Sequence, residues 1–345
     1  MLKHRLAVLA LLCTVASLCI DGIWPAQAES VGEFYKGRRL EIRVGTGPGG
    51  GYDLAARLVA RHIGRHLPGH PNTVVLNVPG AGSLTLMNQL QSTAANDGTV
   101  IGVVTNGVPT APLLTPAAVR FDLPRFQWIG SPAPEVQIVM GWSKARAQTL
   151  ADLFSKGMIV GAIGPGTATF DVPMVTNAVL GTKFKIVSGY SNTAGIDLAM
   201  QRGEVEGHAA LGWVSAKTRN RQWIADGTVK IIAQYGFKKH PDLPDVPLFA
   251  MPKDEAARQA VTVMFIRQEF GRPFLVPPKV PAERLDALRR AFAATMKDPA
   301  FLADAKKASL EINPVAGEEL DRLSAQVSAT RPEVAQRLRA ILAGK

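Results

Sequence analysis

A glycine-rich loop near the start of the chain has the spacing of a phosphate-binding motif. Gly45, Gly47 and Gly50 match G-x-G-x-x-G between a predicted strand and a predicted helix, a pattern that binds the pyrophosphate of dinucleotides. Such a site also needs an acidic residue about 20 positions later to bind the ribose hydroxyls. The segment from Leu54 through Asn96 contains no Asp or Glu. We therefore predict that the loop binds another anion and that the protein has no cofactor.

Two further loops place glycines ahead of a predicted helix. Residues 80–83 read Gly-Ala-Gly-Ser, and residues 163–166 read Ile-Gly-Pro-Gly, which echoes Thr-Gly-Pro-Gly at 46–49. The N-terminus of a helix carries about half a positive charge and unpaired N–H groups that bind anions. The three loops are therefore predicted to converge on the carboxylates of a small ligand. The alternative is that each is a tight turn that packs its helix against a sheet.

The candidate ligand-binding residues lie at these loops or at the end of a later strand. They are Thr46, Gly49, Gly50, Gly51, Tyr52, Asp53, Gly80, Ala81, Gly82, Ser83, Gly164, Gly166, Thr167, Thr169, Tyr190 and Asn192. The alternative for the hydroxyl groups is solvation of a turn, and for Tyr190 and Asn192 it is an ordinary turn. Asp53 is predicted to cap the first helix, which stabilises a helix by about 1 kcal/mol, in preference to contacting a ligand amine or a bridging water.

Histidines recur every four residues at His62, His66 and His70, which could indicate a metal-binding stripe. Pro68 and Gly69 end the predicted helix before the third histidine, and no carboxylate or cysteine lies close in sequence to complete a site. We therefore predict a solvated basic face and no metal site.

The first 28 residues predict export from the cytoplasm. Lys3 and Arg5 precede an apolar run from Leu6 to Ile20, and residues 26–28 read Ala-Gln-Ala, with small residues at the spacing of a cleavage site. The segment is interpreted as a secretory signal peptide because its apolar run is short for a membrane span.

Composition narrows the class of partner. The full chain has a formal net charge of +11, and it stays basic when the signal peptide is removed. Such an excess in an exported protein favours a small anionic ligand or an acidic surface, and it argues against nucleic acid as a partner. Cys13 and Cys19 both lie in the signal peptide, so the mature chain is expected to have no disulfide and no thiol nucleophile.

The arrangement of elements predicts an α/β protein. Beyond Glu29, short β-branched runs alternate with amphipathic segments of helical length, which is typical of parallel strands joined by crossover helices. Strand, glycine-rich turn and helix occur twice in the first half of the chain and again after residue 158. The length suits about two domains.

Two other classes of function compete with a binding protein. An exported hydrolase would need a nucleophile, but residues 141–145 and 189–193 both lack the final glycine of the G-x-S-x-G elbow. Paired acids for glycoside chemistry stay open, since spacing alone does not exclude them. The third class is a ligand-sensing subunit that docks on a signalling partner. We favour the non-enzymatic binding protein.

Seven segments form a pattern when they are taken in chain order. They are GPGGGYDLAARLVARHI, NVPGAGS, NDGTVIG, VGAIGPGTATF, VSGYSNTAGIDLAMQRGEVEGHAAL, HPDLPDVPLF and PFLVPPKVPAERLDALRRAFAATMKDPAF. In that order they resemble the periplasmic solute receptors of tripartite tricarboxylate transporters, which form the Bug or TctC-like family. The resemblance covers nearly all of the chain after the signal peptide.

The resemblance implies a two-lobed periplasmic-binding-protein fold, or Venus flytrap, in which each lobe is a mainly parallel sheet flanked by helices. Residues 29–130 and 250–345 would form lobe 1, and residues 131–249 would form lobe 2. The implied function is to close in the periplasm on a small carboxylate, such as a di- or tricarboxylate, an amino acid or an aromatic acid. The receptor would then deliver its ligand to a membrane permease with a large and a small subunit, and we expect it to be a monomer.

Some positions depart from the family pattern or have two interpretations. Thr46 stands where the family usually has an aromatic residue in the first loop, and Tyr52 where a small residue is common, which leaves the identity of the carboxylate open. Glu135 lies in the expected first crossing between the lobes, where it would select a ligand amine or cap a strand edge. Three arginines in and just after the first predicted helix, Arg57, Arg61 and Arg65, are interpreted as solvent-exposed charge or as a patch that docks on the permease.

Overall fold

The structure is a computed structural model that describes residues 29–344. The predicted signal peptide, residues 1–28, lies outside the described residues together with Cys13 and Cys19. No helix within residues 29–344 combines the length and the hydropathy that crossing a membrane requires.

The strands form two separate sheets, which are the centres of two lobes. The first sheet has the order β11-β4-β10-β3-β1-β2 and consists of β1 (Arg39–Val44), β2 (Asn72–Asn77), β3 (Val100–Val103), β4 (Gln127–Ser131), β10 (Phe274–Val276) and β11 (Val315–Ala316). The second has the order β7-β6-β8-β5-β9 and consists of β5 (Gln137–Trp142), β6 (Met158–Ala162), β7 (Phe184–Ser188), β8 (Gly207–Gly212) and β9 (Val229–Gln234).

Helices cover both faces of each sheet. One face of the first sheet is covered by α1 (Val31–Tyr35), α2 (Gly51–Ile63), α11 (Ala282–Thr295) and α12 (Pro299–Lys307), and the other by α3 (Leu84–Ser92) and α13 (Gly317–Ser328). One face of the second sheet is covered by α5 (Leu150–Ser155), α6 (Ala168–Leu180), α10 (Glu255–Phe270) and α14 (Pro332–Leu342), and the other by α7 (Thr193–Gln201), α8 (Trp213–Arg219) and α9 (Arg221–Ala225). The short helix α4 (Ala111–Leu114) contributes to the cores of both lobes.

The first glycine-rich loop is supported by a tightly packed strand and helix. Leu40, Ile42 and Val44 alternate along β1 and are fully buried in one core with Leu58 of α2. Full burial of such a side chain contributes about 1.5–3 kcal/mol. The loop between β1 and α2 is therefore held at both ends by rigid elements.

Both sheets are mixed, which corrects the expectation of mainly parallel sheets. β1 pairs in parallel with β2 and β3, and β6 pairs in parallel with β7 and β8. Antiparallel pairs join β10 to β3 and β4, β11 to β4, and β5 to β8 and β9. The difference arises because β4, β5 and β10 adjoin connections between the lobes, where no crossover helix within one lobe sets the strand direction.

Within residues 29–344, three stretches of chain join the lobes. One of them, residues 329–331, runs from α13 to α14, and the other two contact each other. Residues 132–136 run from β4 to β5, while α10 begins in the core of the second lobe and ends with Phe270 in the core of the first. Gln268 of α10 accepts hydrogen bonds from both Glu135 N and Gln137 N, through its backbone oxygen and its Oε1 respectively, each at 2.8 Å. Residues 132–136 and α10 are thus fastened to each other near the C-terminal end of α10.

The last helix packs differently from the predicted division of the chain. Val334 and Leu338 of α14 are buried in one core with Val172 and Val175 of α6. Residues 250–345 are expected in lobe 1, but α14 and the first half of α10 pack on the second sheet. An amphipathic stripe in the sequence shows that one face of a helix is buried, but it does not show which lobe that face packs against. The residue boundaries of the lobes stay a prediction.

Candidate ligand-binding site

A cavity of about 280 Å³ lies between the two lobes, and we call it the cleft cavity. It is lined by Gly51, Tyr52, Gly82, Thr105, Asn106, Gly107, Glu135, Gln137, Ile163, Gly166, Thr167, Ala168, Thr169, Thr193, Ala210, Gly212, Ser215 and Arg272. Its volume lies close to the lower end of the range for small-molecule sites. Six of the predicted site residues are among these, from both lobes: Gly51, Tyr52, Gly82, Gly166, Thr167 and Thr169.

The start of α2 forms one wall of the cleft cavity. Gly50 is the N-cap of this helix, and no side chain of the described residues caps it. The first N–H groups of a helix have no partner within the helix, so the amides of Gly51 and Tyr52 are available to a ligand. The Tyr52 hydroxyl accepts a hydrogen bond from Asn106 N at 3.1 Å and keeps its own proton to donate. Burial raises the pKa of Tyr52 to about 12, so this proton is retained at neutral pH.

Asp53 shapes the loop ahead of α2 from inside the helix. The helix begins at Gly51, so Asp53 is not the N-cap residue that the sequence predicted. Its carboxylate folds back to accept from Gly49 N, Arg57 Nε and Asn77 Nδ2, each at 2.9 Å. Burial opposes ionisation, but these hydrogen bonds hold the pKa of Asp53 below its usual value. The residue therefore orders the glycine loop and is itself buried.

The start of α6 repeats this construction in the second lobe. Thr167 is its N-cap and makes no side-chain cap, which leaves the amides of Ala168 and Thr169 available at the cavity wall. A carboxylate in the first turns again ties down the loop, since Asp171 Oδ1 accepts from Gly166 N at 2.9 Å. Asp171 also pairs with Arg267 of α10 at 2.9 Å, and both side chains are buried.

The positive ends of two helices therefore adjoin one cavity from opposite lobes. α2 and α6 each have 13 residues, and the first residues of both line the cleft cavity. A helix N-terminus stabilises an anionic group by about 0.3–1 kcal/mol at an exposed site and by more where water is excluded. An anion bound here would contact both lobes at once.

Arg272 and Glu135 form an ion pair within the cleft cavity. Their side chains are 7% and 11% exposed, and Arg272 Nη2 contacts Glu135 Oε2. Burial raises the pKa of Glu135, an effect that Arg272 opposes and the nearby Glu311 reinforces. A guanidinium has five N–H donors, so Arg272 retains donors for a second carboxylate.

The guanidinium of Arg272 also rests against the start of α2. A Cβ atom added at Gly51 would lie 3.2 Å from Arg272 Nε, which is tighter than ordinary van der Waals contact. The missing side chain at Gly51 is therefore what lets the arginine approach the helix end. Arg272 N donates to Ser131 Oγ at 3.1 Å, which fixes the backbone of the arginine to the end of β4.

Amide and hydroxyl groups complete the wall. Thr105, Asn106, Thr193 and Ser215 line the cavity. Gln137 is buried at the wall, and within the described residues its Oε1 accepts no hydrogen bond. A buried acceptor without a donor is costly, so this atom suits a ligand hydroxyl or an ordered water.

The remaining predicted site residues do not line the cleft cavity. They are Thr46, Gly49, Gly50, Asp53, Gly80, Ala81, Ser83, Gly164, Tyr190 and Asn192. Ser83 is buried, donates to Gly45 O at 3.1 Å and accepts from Thr105 N at 3.0 Å. It therefore joins the first and second glycine loops from beneath.

Tyr190 and Asn192 are engaged within the second lobe. Tyr190 packs in the core beside α7, and its hydroxyl lies 3.4 Å from Glu204 Oε2. Asn192 caps α7 by accepting from Gly195 N at 2.8 Å. The next residue, Thr193, is the one in this turn that lines the cleft cavity.

His62 at the end of α2 and His66 in the turn after it are paired with carboxylates, which corrects the prediction of a solvated basic face. His62 is buried and lies 3.1 Å from Asp304 Oδ2, while His66 lies 2.8 Å from Asp298 Oδ2. Both carboxylates come from α12 and its N-cap, which are more than 200 residues away in sequence. These acids are therefore not visible as neighbours in the sequence.

Sequence reasoning missed Arg272, the positively charged side chain of the cleft cavity. The segment that contains it, MFIRQEFGRPFLV, places two arginines among apolar residues. Charged residues within a buried run are rare unless they are paired, which is a signal for Arg267 and Arg272 that was available in the sequence.

No model of a known protein family matches this chain, and no curated protein sequence matches it. Solved structures do match. A TctC solute-binding protein from Polaromonas has a TM-score of 0.65 at 17% identity, over 88% of this chain and 99% of that chain. The fold is that of a two-lobed periplasmic binding protein.

Two further solved structures share this periplasmic-binding-protein fold. The periplasmic binding protein BugD has a TM-score of 0.63 at 23% identity, over 89% of this chain and 98% of that chain. MatC from Rhodopseudomonas palustris, determined with bound malate, has a TM-score of 0.63 at 18% identity, over 88% and 99%. The resemblance to TctC- and Bug-type proteins, and the fold class it implied, are confirmed at the level of the fold.

Proposed function

We propose that this protein is a periplasmic receptor that captures a small carboxylate between its lobes and releases it chemically unchanged. The observation that carries the proposal is that the uncapped starts of α2 and α6 and the Arg272 guanidinium meet at one cavity. The malate bound to MatC supports a carboxylate as the ligand class.

The donors at the cavity suit a carboxylate. Its two oxygens accept about four hydrogen bonds, and the amides of Gly51, Tyr52, Ala168 and Thr169 supply donors from both lobes. Because one ligand group would engage both lobes, binding favours the closed arrangement over any open one. The ion pair of Glu135 and Arg272 lets the cavity remain nearly neutral before the ligand enters.

The chemistry at the wall favours binding over catalysis. Among the described residues that line the cleft cavity, the titratable side chains are Tyr52, Glu135 and Arg272. The buried contact between His208 and Asp197 resembles part of a catalytic pair, but neither residue lines the cavity. We therefore assign no reaction to the site.

We further propose that the receptor acts as a monomer and delivers its ligand to a tripartite-type membrane permease. The support is the structural likeness to TctC- and Bug-type proteins together with the export signal that the sequence predicts. Arg57 on α2 and Arg65 in the turn that follows α2 are each about half exposed, and with Arg61 they are the proposed docking patch.

Thermal melting with a ligand panel tests the receptor proposal. The panel holds di- and tricarboxylates, amino acids, aromatic acids and straight-chain acids, with the methyl ester of each acid as its matched neutral control. A ligand at 100 times its dissociation constant stabilises the folded protein by about 2.7 kcal/mol. We expect an acid to raise the melting temperature and its ester to have no effect. Stabilisation by neutral sugars or by the esters, with none by any acid, would refute the proposal.

A further inference from the structure

A second cavity of about 450 Å³ adjoins the cleft cavity, and we call it the side chamber. The two share four lining residues, Gly82, Gly107, Gly166 and Thr167. Three of the four are glycines, so only one side chain stands at the shared boundary. The two cavities therefore adjoin along a boundary that is mostly backbone, and Gly107 and Gly166 lie close together there, since a Cβ atom added at Gly107 would lie 3.4 Å from Gly166 O.

The wall of the side chamber is largely apolar. Leu84, Ala111 and Leu114 are almost fully buried and contribute from the first lobe and α4, while Leu342 contributes from α14. The chamber thus brings together apolar side chains from elements that are far apart in sequence.

The charged groups at the side chamber are already engaged. Asp171 and Arg267 form their buried ion pair there, and Arg267 Nε also donates to Thr110 Oγ1 at 2.6 Å. Arg339 Nη1 donates to Leu113 O at 2.7 Å. The Asp171–Arg267 pair adds no net charge, whereas Arg339 donates to a neutral carbonyl and keeps its positive charge.

We propose that the ligand is an elongated carboxylate with an apolar tail, an inference that rests on the proposed function. Its carboxylate occupies the cleft cavity at Arg272 and the starts of α2 and α6. Its alkyl or aryl tail crosses the boundary that the two cavities share and fills the side chamber. Because the side chamber is the larger of the two cavities, most of the ligand's surface is apolar.

A chain-length series measures the contribution of the side chamber. Straight-chain acids from butanoate to decanoate are titrated by calorimetry into protein that has been refolded to remove any bound ligand. Each methylene buried from water strengthens binding about fourfold, which corresponds to about 0.8 kcal/mol. We expect affinity to rise by this factor with each added methylene until the chamber is full and then to level off.

Two tryptophan variants form a matched pair for the same titration. Ala118 is exposed and lines the side chamber, so Ala118→Trp fills the chamber with little risk to folding. Ala117 is exposed on the same short turn and does not line the chamber, so Ala117→Trp is the control. We expect Ala118→Trp to bind butanoate normally and to lose the gain with chain length, and Ala117→Trp to behave as the wild type.

The outcomes separate this inference from the receptor proposal. If short acids bind but longer ones bind no better, the side chamber does not hold a tail and the inference is wrong, while the receptor stands. If long acids bind better and Ala118→Trp has no effect, the tail lies elsewhere and the inference is also wrong. If no acid in the series or in the melting panel binds, both proposals fail.

Discussion

Replacing Arg272 by methionine tests the centre of the proposed site, because it removes the guanidinium while keeping much of the apolar stem. Glu135 would then remain buried without its partner. Removing one member of a buried ion pair costs about 3–5 kcal/mol, and we expect about 3 kcal/mol because the pair lines a cavity. The unfolding entropy of a chain of this length is about 0.7 kcal/mol/K, so the melting temperature at pH 8 should fall by about 4 °C.

The same variant should show a distinctive dependence on pH. Burial already raises the pKa of Glu135 above its ordinary value of 4.5, and loss of Arg272 raises it further. The folded variant then binds a proton that the unfolded chain does not, so its stability falls as the pH rises from 4.5 through the raised pKa. The deficit should therefore be largest at pH 8 and should nearly vanish at pH 4.5.

Ligand binding by this variant is measured by titration calorimetry at pH 8. Loss of a hydrogen bond to a charged group costs about 1.5–3 kcal/mol, so we expect a carboxylate to bind about 10- to 150-fold more weakly. Arg146→Met is the control, since Arg146 is half exposed, pairs with Glu206 and does not line the cleft cavity. Unchanged affinity in the Arg272 variant would refute the assignment, as would an equal loss in the control.

Three further substitutions test parts of the same argument. Glu135→Gln removes the carboxylate that competes with the ligand for Arg272. Calorimetry should therefore show a ligand affinity that rises from pH 8 to pH 5 in the wild type and stays nearly constant in the variant. The same dependence of affinity on pH in both proteins would contradict this. Gly51→Ala should displace the Arg272 guanidinium and weaken carboxylate binding several-fold, while scanning calorimetry shows a free energy of unfolding changed by less than about 1 kcal/mol. Full affinity in this variant would show that the close approach of Arg272 to Gly51 does not matter for binding. Asp171→Asn leaves a buried arginine unpaired and should lower stability by about 3–5 kcal/mol, or about 4–7 °C in melting temperature, and a loss below 1 kcal/mol would contradict the assigned role.

Strong local patterns made the glycine loops and the helices after them predictable. A run of alternating apolar residues, a glycine-rich turn and an amphipathic helix depend on neighbours in sequence, and β1 with α2 and β6 with α6 follow this order. The sequence also predicted that loops from both lobes would face one another, and Gly51 and Gly166 line the same cavity.

Contacts between distant segments were not predictable in this way. β4 and β5 flank Pro132 and Pro134 and pair with strands that come much later, so their short runs gave little local signal. The pairing of Arg272 with Glu135 joins residues more than 130 positions apart. A single sequence carries no information on which arginine meets which glutamate.

The hydrogen bonds of Gln268 to Glu135 N and Gln137 N have a consequence for how the protein opens. Since two of the three connections are fastened to each other at this place, we expect the lobes to separate by a hinge movement there. A membrane partner that binds both lobes and moves one away from the other would therefore separate the α2 amides from the α6 amides. A bound anion would then lose half of its hydrogen-bond donors in a single movement.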